Sequence, residues 1–315
     1  MFDKLPQPMA AAVQPLLLLT LLVVVFALSA PAFLSFANLN NVLTASATVG
    51  LIALGATFVI ASGNIDLSPG AVMALSAVVT ANYAQHIDAS PVGCVVVAGG
   101  IGLAVGLLNG WLISLTGAPS FIITLGTLSV ARAIAYIASG GVPVYGLPDS
   151  ALIVGQGALF GIHLPVLILM VCVVMSGFTL RFTRFGQHTL HMGDDAKAAQ
   201  ALGINLPRLR LQIFGLAGAL AGLAGLIFMA RTNSGDPSAG QSYELLGITA
   251  VILGGANLFG GKASVLSTFT GLLALAVLQN GLNLLAIETF YQVLFVGLVL
   301  ILSAGLRRGE LGSWR

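Results

Sequence analysis

The chain has 315 residues and a net charge of +2; 57% of its residues are hydrophobic and only 7% are charged. A soluble domain carries about one quarter charged residues, and a chain of this size cannot cover a soluble surface with so few. Those figures exclude a soluble globular protein, and the lack of a free-standing basic patch argues against a nucleic-acid partner. What remains is a polytopic membrane protein in contact with lipid.

A helix that crosses the hydrocarbon core needs about 20 mostly apolar residues. The first such run is Pro15 to Phe33, behind Lys4. It reads as a retained helix and not a leader, because a cut after Ala30 would leave Pro31 directly behind it. The second run, Val42 to Ser62, and the third, Gly70 to Ala84, flank the turn Gly63-Asn64-Ile65-Asp66-Leu67-Ser68-Pro69-Gly70. The fourth is Val92 to Thr116, and the fifth follows Gly117-Ala118-Pro119 and ends near Gly140. Residues 142–162 are rich in Gly and Pro yet still apolar, which fits a short lid or re-entrant element as well as a plain loop. The sixth run is His163 to Leu180.

Next comes the most polar internal stretch, Arg181 to Arg210, with five of the twelve basic residues. The seventh run is Leu211 to Ala230, followed by a polar turn from Arg231 to Gly240. The eighth is Tyr243 to Leu258, the ninth Ser264 to Leu285 and the tenth Phe290 to Leu306. The expectation is a single all-α domain over 1–315, with about ten transmembrane helices. Lys4, Arg181, Arg184, Lys197, Arg208, Arg210, Lys262, Arg307, Arg308 and Arg315 then share one side, and only Arg231 falls in a loop on the other. Positive charge collects on the cytoplasmic face, so both termini and the loop at 181–210 are placed there. The Gly-rich ends of the second and eighth spans look loosely alike. They cross in the same direction, however, and cannot be equivalent members of an inverted repeat.

Polar groups inside a membrane are costly and therefore informative. Asp66 either caps the helix that starts near Pro69 or lines a pathway. Arg132, deep in the fifth span, must snorkel or pair, with Glu244 and Asp149 as candidate partners. Asn109, Gln279, Asn280, Asn283 and Gln292 carry amides that either meet a polar uncharged solute or tie helices together, and Asn280 and Asn283 share a helix face. Gly215, Gly218, Gly222 and Gly225 fall on one face and point to close helix packing. Cys94 and Cys172 sit in apolar runs as small hydrophobes, and His188 and His191 read as solvated loop residues, so no metal or cofactor is expected. The segment Gly254 to Ala263 approaches the phosphate-binding pattern GxxxxGK[ST]. It has Ala256 at the first glycine and Ala263 at the hydroxyl, so no ATP site and no catalytic constellation is expected in this chain.

Several segments, in order, resemble the ribose-type sugar ABC transporter permeases: Gly63 to Gly70 their GGIDLSVG, Pro119 to Gly126 their PxFIxTLG, and Phe185-Gly186, Gly193, Ala198-Ala199 and Gly203-Ile204 their FGR…GxN…AAxxxGI. Glu244 to Gly261 is similar to ELxxIxAVxxGGxxxxGG, and Asn280 to Asn283 to NGLN. Asn64, Pro69, Gln187 and Asp194-Asp195 depart from the pattern. The resemblance implies a permease subunit in a bacterial inner membrane. A second permease subunit would complete the pathway, cytoplasmic ATP-binding subunits would drive it, and a periplasmic solute-binding protein would deliver a monosaccharide. The pathway set is then Asp66, Asn109, Asn280 and Asn283. The ATPase-coupling set is Gly193, Asp194, Asp195, Ala198, Ala199, Leu202 and Gly203, on a short helix from Gly193 to Gly203. Asp194 and Asp195 would occupy its first turn, and Ala196, Ala199 and Leu202 would share a face. The alternatives are a sister permease for a nucleoside, autoinducer or branched-chain amino acid, and an ion-coupled secondary transporter. The last would need buried titratable residues, and beyond Asp66 and Arg132 the spans have almost none.

Overall fold

The computed structural model describes residues 7–86, 90–288, 290–292, 294–295 and 297–298, with backbone alone for 7–14. In chain order the elements are α1 (Gln7–Ser29), α2 (Phe36–Ala61), α3 (Pro69–His86), α4 (Pro91–Thr116), α5 (Ser120–Ser139), β1 (Val144–Tyr145), α6 (Asp149–Gln156), β2 (Ala158–Leu159) and β3 (Ile162–His163). They continue with α7 (Leu164–Phe182), α8 (Arg184–Asp194), α9 (Ala196–Ala201), α10 (Leu206–Thr232), β4 (Ser234–Gly235), α11 (Tyr243–Leu253) and α12 (Val265–Leu284). The tenth predicted span, and with it the basic residues at both termini, lies largely outside the described residues.

Side-chain caps and left-handed residues set the helix limits. Ser35 accepts the Asn38 N–H at the start of α2, Ser90 accepts the Gly93 N–H ahead of Pro91, and Asn205 accepts the Arg208 N–H ahead of α10. Gly117 and Gly140 close α4 and α5 with φ of 66° and 65°. Among the described residues, six helices are long and apolar enough to cross a membrane: α2, α4, α5, α7, α10 and α12. Two of these form the centre. In α2 83% and in α10 78% of the span is buried, against 22%, 17% and 28% for α4, α5 and α7. The outer three turn Leu107, Trp111, Ile122, Ile137, Val174 and Phe178 outward. An apolar face of that extent suits lipid or another membrane subunit.

Small residues let the central helices approach closely. A Cβ on Gly102 would stand 2.1 Å from the Gly218 carbonyl oxygen, and one on Gly222 would stand 2.2 Å from that of Ala98. The glycine row of α10 therefore packs backbone to backbone on α4, with Gly225 turned instead to Met73 of α3.

Two predicted segments take another form. The eighth span is not a helix to Leu258. α11 stops at Leu253 after 11 residues, and Gly255 (φ 99°) turns the chain away. The polar stretch before it is no simple surface turn: from Asn233 (φ 52°) it runs along α3 until Gly240 touches Gly70. Residues 142–162 fold as one strand, the short helix α6 and the β2–β3 hairpin. α6 is seated on the end of α10, where a Cβ on Gly155 would stand 2.4 Å from the Arg231 amide.

The ends of α2, α8 and the turn before α12 meet at one pole of the bundle, here the α8–α9 pole, and β1 pairs with β4 at the other. α10 starts at the pole where α2 ends, so these two central helices are antiparallel. They also begin 170 residues apart, Phe36 and Leu206. The turns that follow keep that interval: Asp66-Leu67-Ser68-Pro69-Gly70 and Asp236-Pro237-Ser238-Ala239-Gly240. α12 falls inside the limits of α4 shifted by the same amount. An inverted repeat is present, between the second and seventh spans and not between the second and eighth.

Candidate functional site

The segment expected to be one helix from Gly193 to Gly203 is two. Thr183 accepts the Gly186 N–H at the start of α8, which buries Gly186, Thr189 and Met192 and stacks Phe185 on Phe58 of α2 with centroids 5.8 Å apart. Asp195, extended at φ −151°, breaks the helix and caps α9 by accepting the Lys197 and Ala198 N–H groups at 2.8 and 3.0 Å. Asp194 is therefore the last residue of α8 and does not open the helix. Gly203 (φ 85°) ends the element. The common face of Ala196, Ala199 and Leu202 does not form. Ala199 is buried at 2% exposure, while Leu202, one residue past the end of α9, is 81% exposed with Ala198 also open. Gly193 faces inward, against Ala61.

Asp66 and Asn109 are brought together, but inside the protein. Asp66 Oδ1 accepts the Ser68 N–H at 2.8 Å and its Oγ–H at 2.6 Å. Ser68 Oγ accepts from Asn109 Nδ2 at 3.1 Å, and Asn109 Oδ1 accepts from Thr127 Oγ at 2.6 Å. Ser120 and Thr124 of α5 accept the Ile65 and Leu67 N–H groups at 2.9 and 3.1 Å. With Asp66 at 6% and Asn109 at 1% exposure, this is a buried chain of hydrogen bonds joining three helices.

The second turn has the same inner geometry: Asp236 Oδ1 accepts the Ser238 N–H and Oγ–H at 2.8 and 2.7 Å. Arg132 serves this turn. Its Nη1 donates to the Pro237 and Ala239 carbonyls at 2.7 and 2.6 Å; of the two expected partners, Glu244 is close enough to attract it electrostatically but shares no hydrogen bond with it, and Asp149 does neither. Glu244, at the start of α11, has its Oε2 buried beside Gly70 without a hydrogen-bond partner.

Asn280 and Asn283 lie elsewhere, in a cleft of about 360 Å³ between α2, α11, α12 and the start of α7, near the pole opposite α8–α9. Asn280 exchanges two 2.9 Å hydrogen bonds with Asn38, and Asn283 Oδ1 accepts from Gln292 at 2.9 Å. Thr44, His163, Gln279 and Arg231 join them in the lining, with Thr44 Oγ 3.0 Å from His163 Nδ1. The Arg231 side chain makes no hydrogen bond among the described residues, so its donors stand free at the cleft wall. In the sequence Arg231 stands out only as the one basic residue placed in a loop on the far side. The nearness of Thr44 and His163, far apart in the chain, leaves no mark there.

Residues 38–304 match the family described as branched-chain amino acid transport system / permease component. The chain is 39% identical over 297 residues to the ribose import permease protein of Bacillus subtilis (strain 168), covering 93% of this chain and 92% of that one. It is 35% identical over 278 residues to the L-arabinose ABC transporter permease protein of Azospirillum brasilense (88% and 81% covered), and 34% identical over 296 residues to the D-allose transport system permease protein of Escherichia coli (strain K12) (92% and 90%). No solved structure matches it. With a family match over most of its length and relatives above 30% identity across nearly all of it, the chain belongs to the ribose-type permeases of that transport-system family.

Proposed function

We propose that this chain forms the solute pathway of an importer for a monosaccharide, and that its α8–α9 element is the seat of a separate ATP-binding subunit. The role is that of a multi-pass permease subunit of an ABC importer in a bacterial inner membrane. The observation that carries it is the likeness, across nearly the whole chain, to permeases named for ribose, arabinose and allose. In this reading the α8–α9 pole and both termini are cytoplasmic and there are ten crossings. The eighth is made of the irregular stretch 233–242 together with α11. Broken helices of this kind are tolerated where backbone is buried in protein. A periplasmic binding protein delivers the solute to the pole with the cleft, and a second permease subunit, the same or different, completes the pathway.

Within this chain the cleft is the better candidate for solute contact than the Asp66–Asn109 chain, whose polar groups are already spent on each other. A sugar presents hydroxyls that both donate and accept; Arg231 offers donors and Gln279 both kinds of partner, beside Asn280 paired with Asn38 and Thr44 paired with His163. Arg231→Gln is expected to raise the KM for ribose uptake about tenfold in vesicles carrying the full complex, a loss typical of one hydrogen bond to a charged group. Complex assembly and basal ATP hydrolysis should stay unchanged. Uptake at the native KM would remove the cleft from the pathway. The family's description also names branched-chain amino acids, and competition of ribose uptake by leucine separates that second reading from the first.

A further inference from the structure

At the α8–α9 pole four glycines from three separate segments meet: Gly63 after α2, Gly193 near the end of α8, and Gly260 and Gly261 in the turn before α12. A Cβ on Gly193 would stand 2.0 Å from the Ala61 carbonyl oxygen and 2.5 Å from the Gly261 amide nitrogen. One on Gly260 would stand 2.8 Å from the Cα atoms of both Gly193 and Gly63. The neighbours are backbone atoms, which cannot swing aside as a side chain would. The Gly261 N–H also donates to the Ala61 carbonyl at 3.0 Å. Gly63, Gly260 and Gly261 have φ of 74°, 99° and 78°, so their conformation alone favours glycine. Gly193 is helical, and only the closeness of its neighbours excludes a side chain there.

Two routes leave this point. From Gly63 the chain passes straight into the Asp66 turn and ends at Gly70. From Gly261 it leads back through α11 to Gly240. The routes meet again where Gly70 and Gly240 touch, a Cβ on the first lying 2.2 Å from the carbonyl oxygen of the second. The end of α8 thus bears on both arms of a closed ring that contains both helix breaks. Backbone packed on backbone, with no side chain between, transmits displacement with little give.

We infer that Gly193 is a positioning residue for transport: it fixes α8 to the end of α2 and to the α11–α12 turn as one rigid joint, through which movement of the ATPase seat reaches both helix breaks. The inference rests on the reading of α8–α9 as that seat. It requires that the three segments move together and that α8 does not slide over the other two.

The test uses the full complex in vesicles, with ribose delivered by the cognate binding protein. In Gly193→Ala that assembles, the ratio of ATP hydrolysis with ribose-loaded binding protein to hydrolysis without it is expected to fall about tenfold, the size of an ordinary coupling between sites. A cross-link supplies the converse. Asp194 Cβ lies 3.2 Å from where a Cβ on Gly261 would be, close to disulfide spacing. In a background with Cys94→Ala and Cys172→Ala, the pair Asp194→Cys and Gly261→Cys is compared oxidised and reduced in the same protein. Equal stimulation in the two states is expected of a rigid joint, and loss on oxidation shows sliding and overturns it. Native stimulation in Gly193→Ala also overturns it, and if that variant does not assemble the cross-link alone decides. Leu202→Asp separates the two layers. If it loses stimulation while Gly193→Ala keeps it, the joint alone is refuted; if both keep it, the ATPase seat itself is misplaced.

Discussion

The turns at Asp66–Gly70 and Asp236–Gly240 are built alike and secured in opposite ways. Each has an Asp accepting from the N–H and hydroxyl of the Ser two residues on, and each ends in a glycine pressed against the other's. The first leads into the 18 residues of α3, so its carbonyls find helical partners and its free N–H groups are the ones that need acceptors. Ser120 and Thr124 provide them. The second continues through further turns before α11, and there carbonyls are left over; the guanidinium of Arg132 takes two of them. All three clamping residues come from α5. One helix therefore secures both breaks, with hydroxyls where donors are in excess and a cation where acceptors are. The side chain that secures irregular backbone inside a membrane protein is chosen by which half of the peptide group is left unpaired.

If that account holds, the largest loss comes from Arg132→Leu. Two carbonyls would be left without a donor, at about 1–3 kcal/mol each for buried groups. The complex should extract in low yield, with a thermal midpoint well below that of the native protein, and Arg132→Lys should recover only part because an ammonium lacks the planar fork. A Leu variant as stable as the native chain would show that the stretch at 233–242 is held by something else. Next in size is Ser68→Ala, which interrupts the Asp66–Ser68–Asn109–Thr127 chain and strips a buried carboxylate of its hydroxyl donor. The expected cost is about 1–3 kcal/mol, read as a fall in thermal midpoint with the KM for solute unchanged. A raised KM with native stability would return Asp66 and Asn109 to the pathway.

Much of the helical frame is legible in the sequence because its ends are marked chemically. Ser90-Pro91, Gly117, Gly140 and Asn205 with Pro207 each do in the structure what those residue types do at helix ends. The misses also have causes. Residues 243–258 are mostly apolar, and hydropathy cannot show that Gly254-Gly255 ends the helix at Leu253. The stretch 231–240 is polar, and polarity does not distinguish a surface turn from irregular backbone packed along α3 and held by an arginine. Two adjacent acids, Asp194 and Asp195, both suit a first turn, and the extended backbone of Asp195 decides between them. The shared face of Ala199 and Leu202 assumed helical spacing one residue too far. The repeat escapes notice because, at an interval of 170 residues, it is carried by turn chemistry and by few identical residues within the helices.

The smallest effect sharpens the comparison most. Ser238 makes the same two hydrogen bonds as Ser68, yet it is exposed while Ser68 is 1% exposed. In Ser238→Ala, water can replace the lost hydroxyl at the Asp236 carboxylate, so the cost is expected near the bottom of the range for a hydrogen bond, about 0.5 kcal/mol. Set against Ser68→Ala in the same thermal assay, this isolates what burial and the Asn109 contact add, since the turn geometry is held constant. A clear gap between the two variants says that the first turn matters because it is sealed among α3, α4 and α5. Equal losses would instead place the energy in the turns themselves, and the clamp from α5 would then add little to either break.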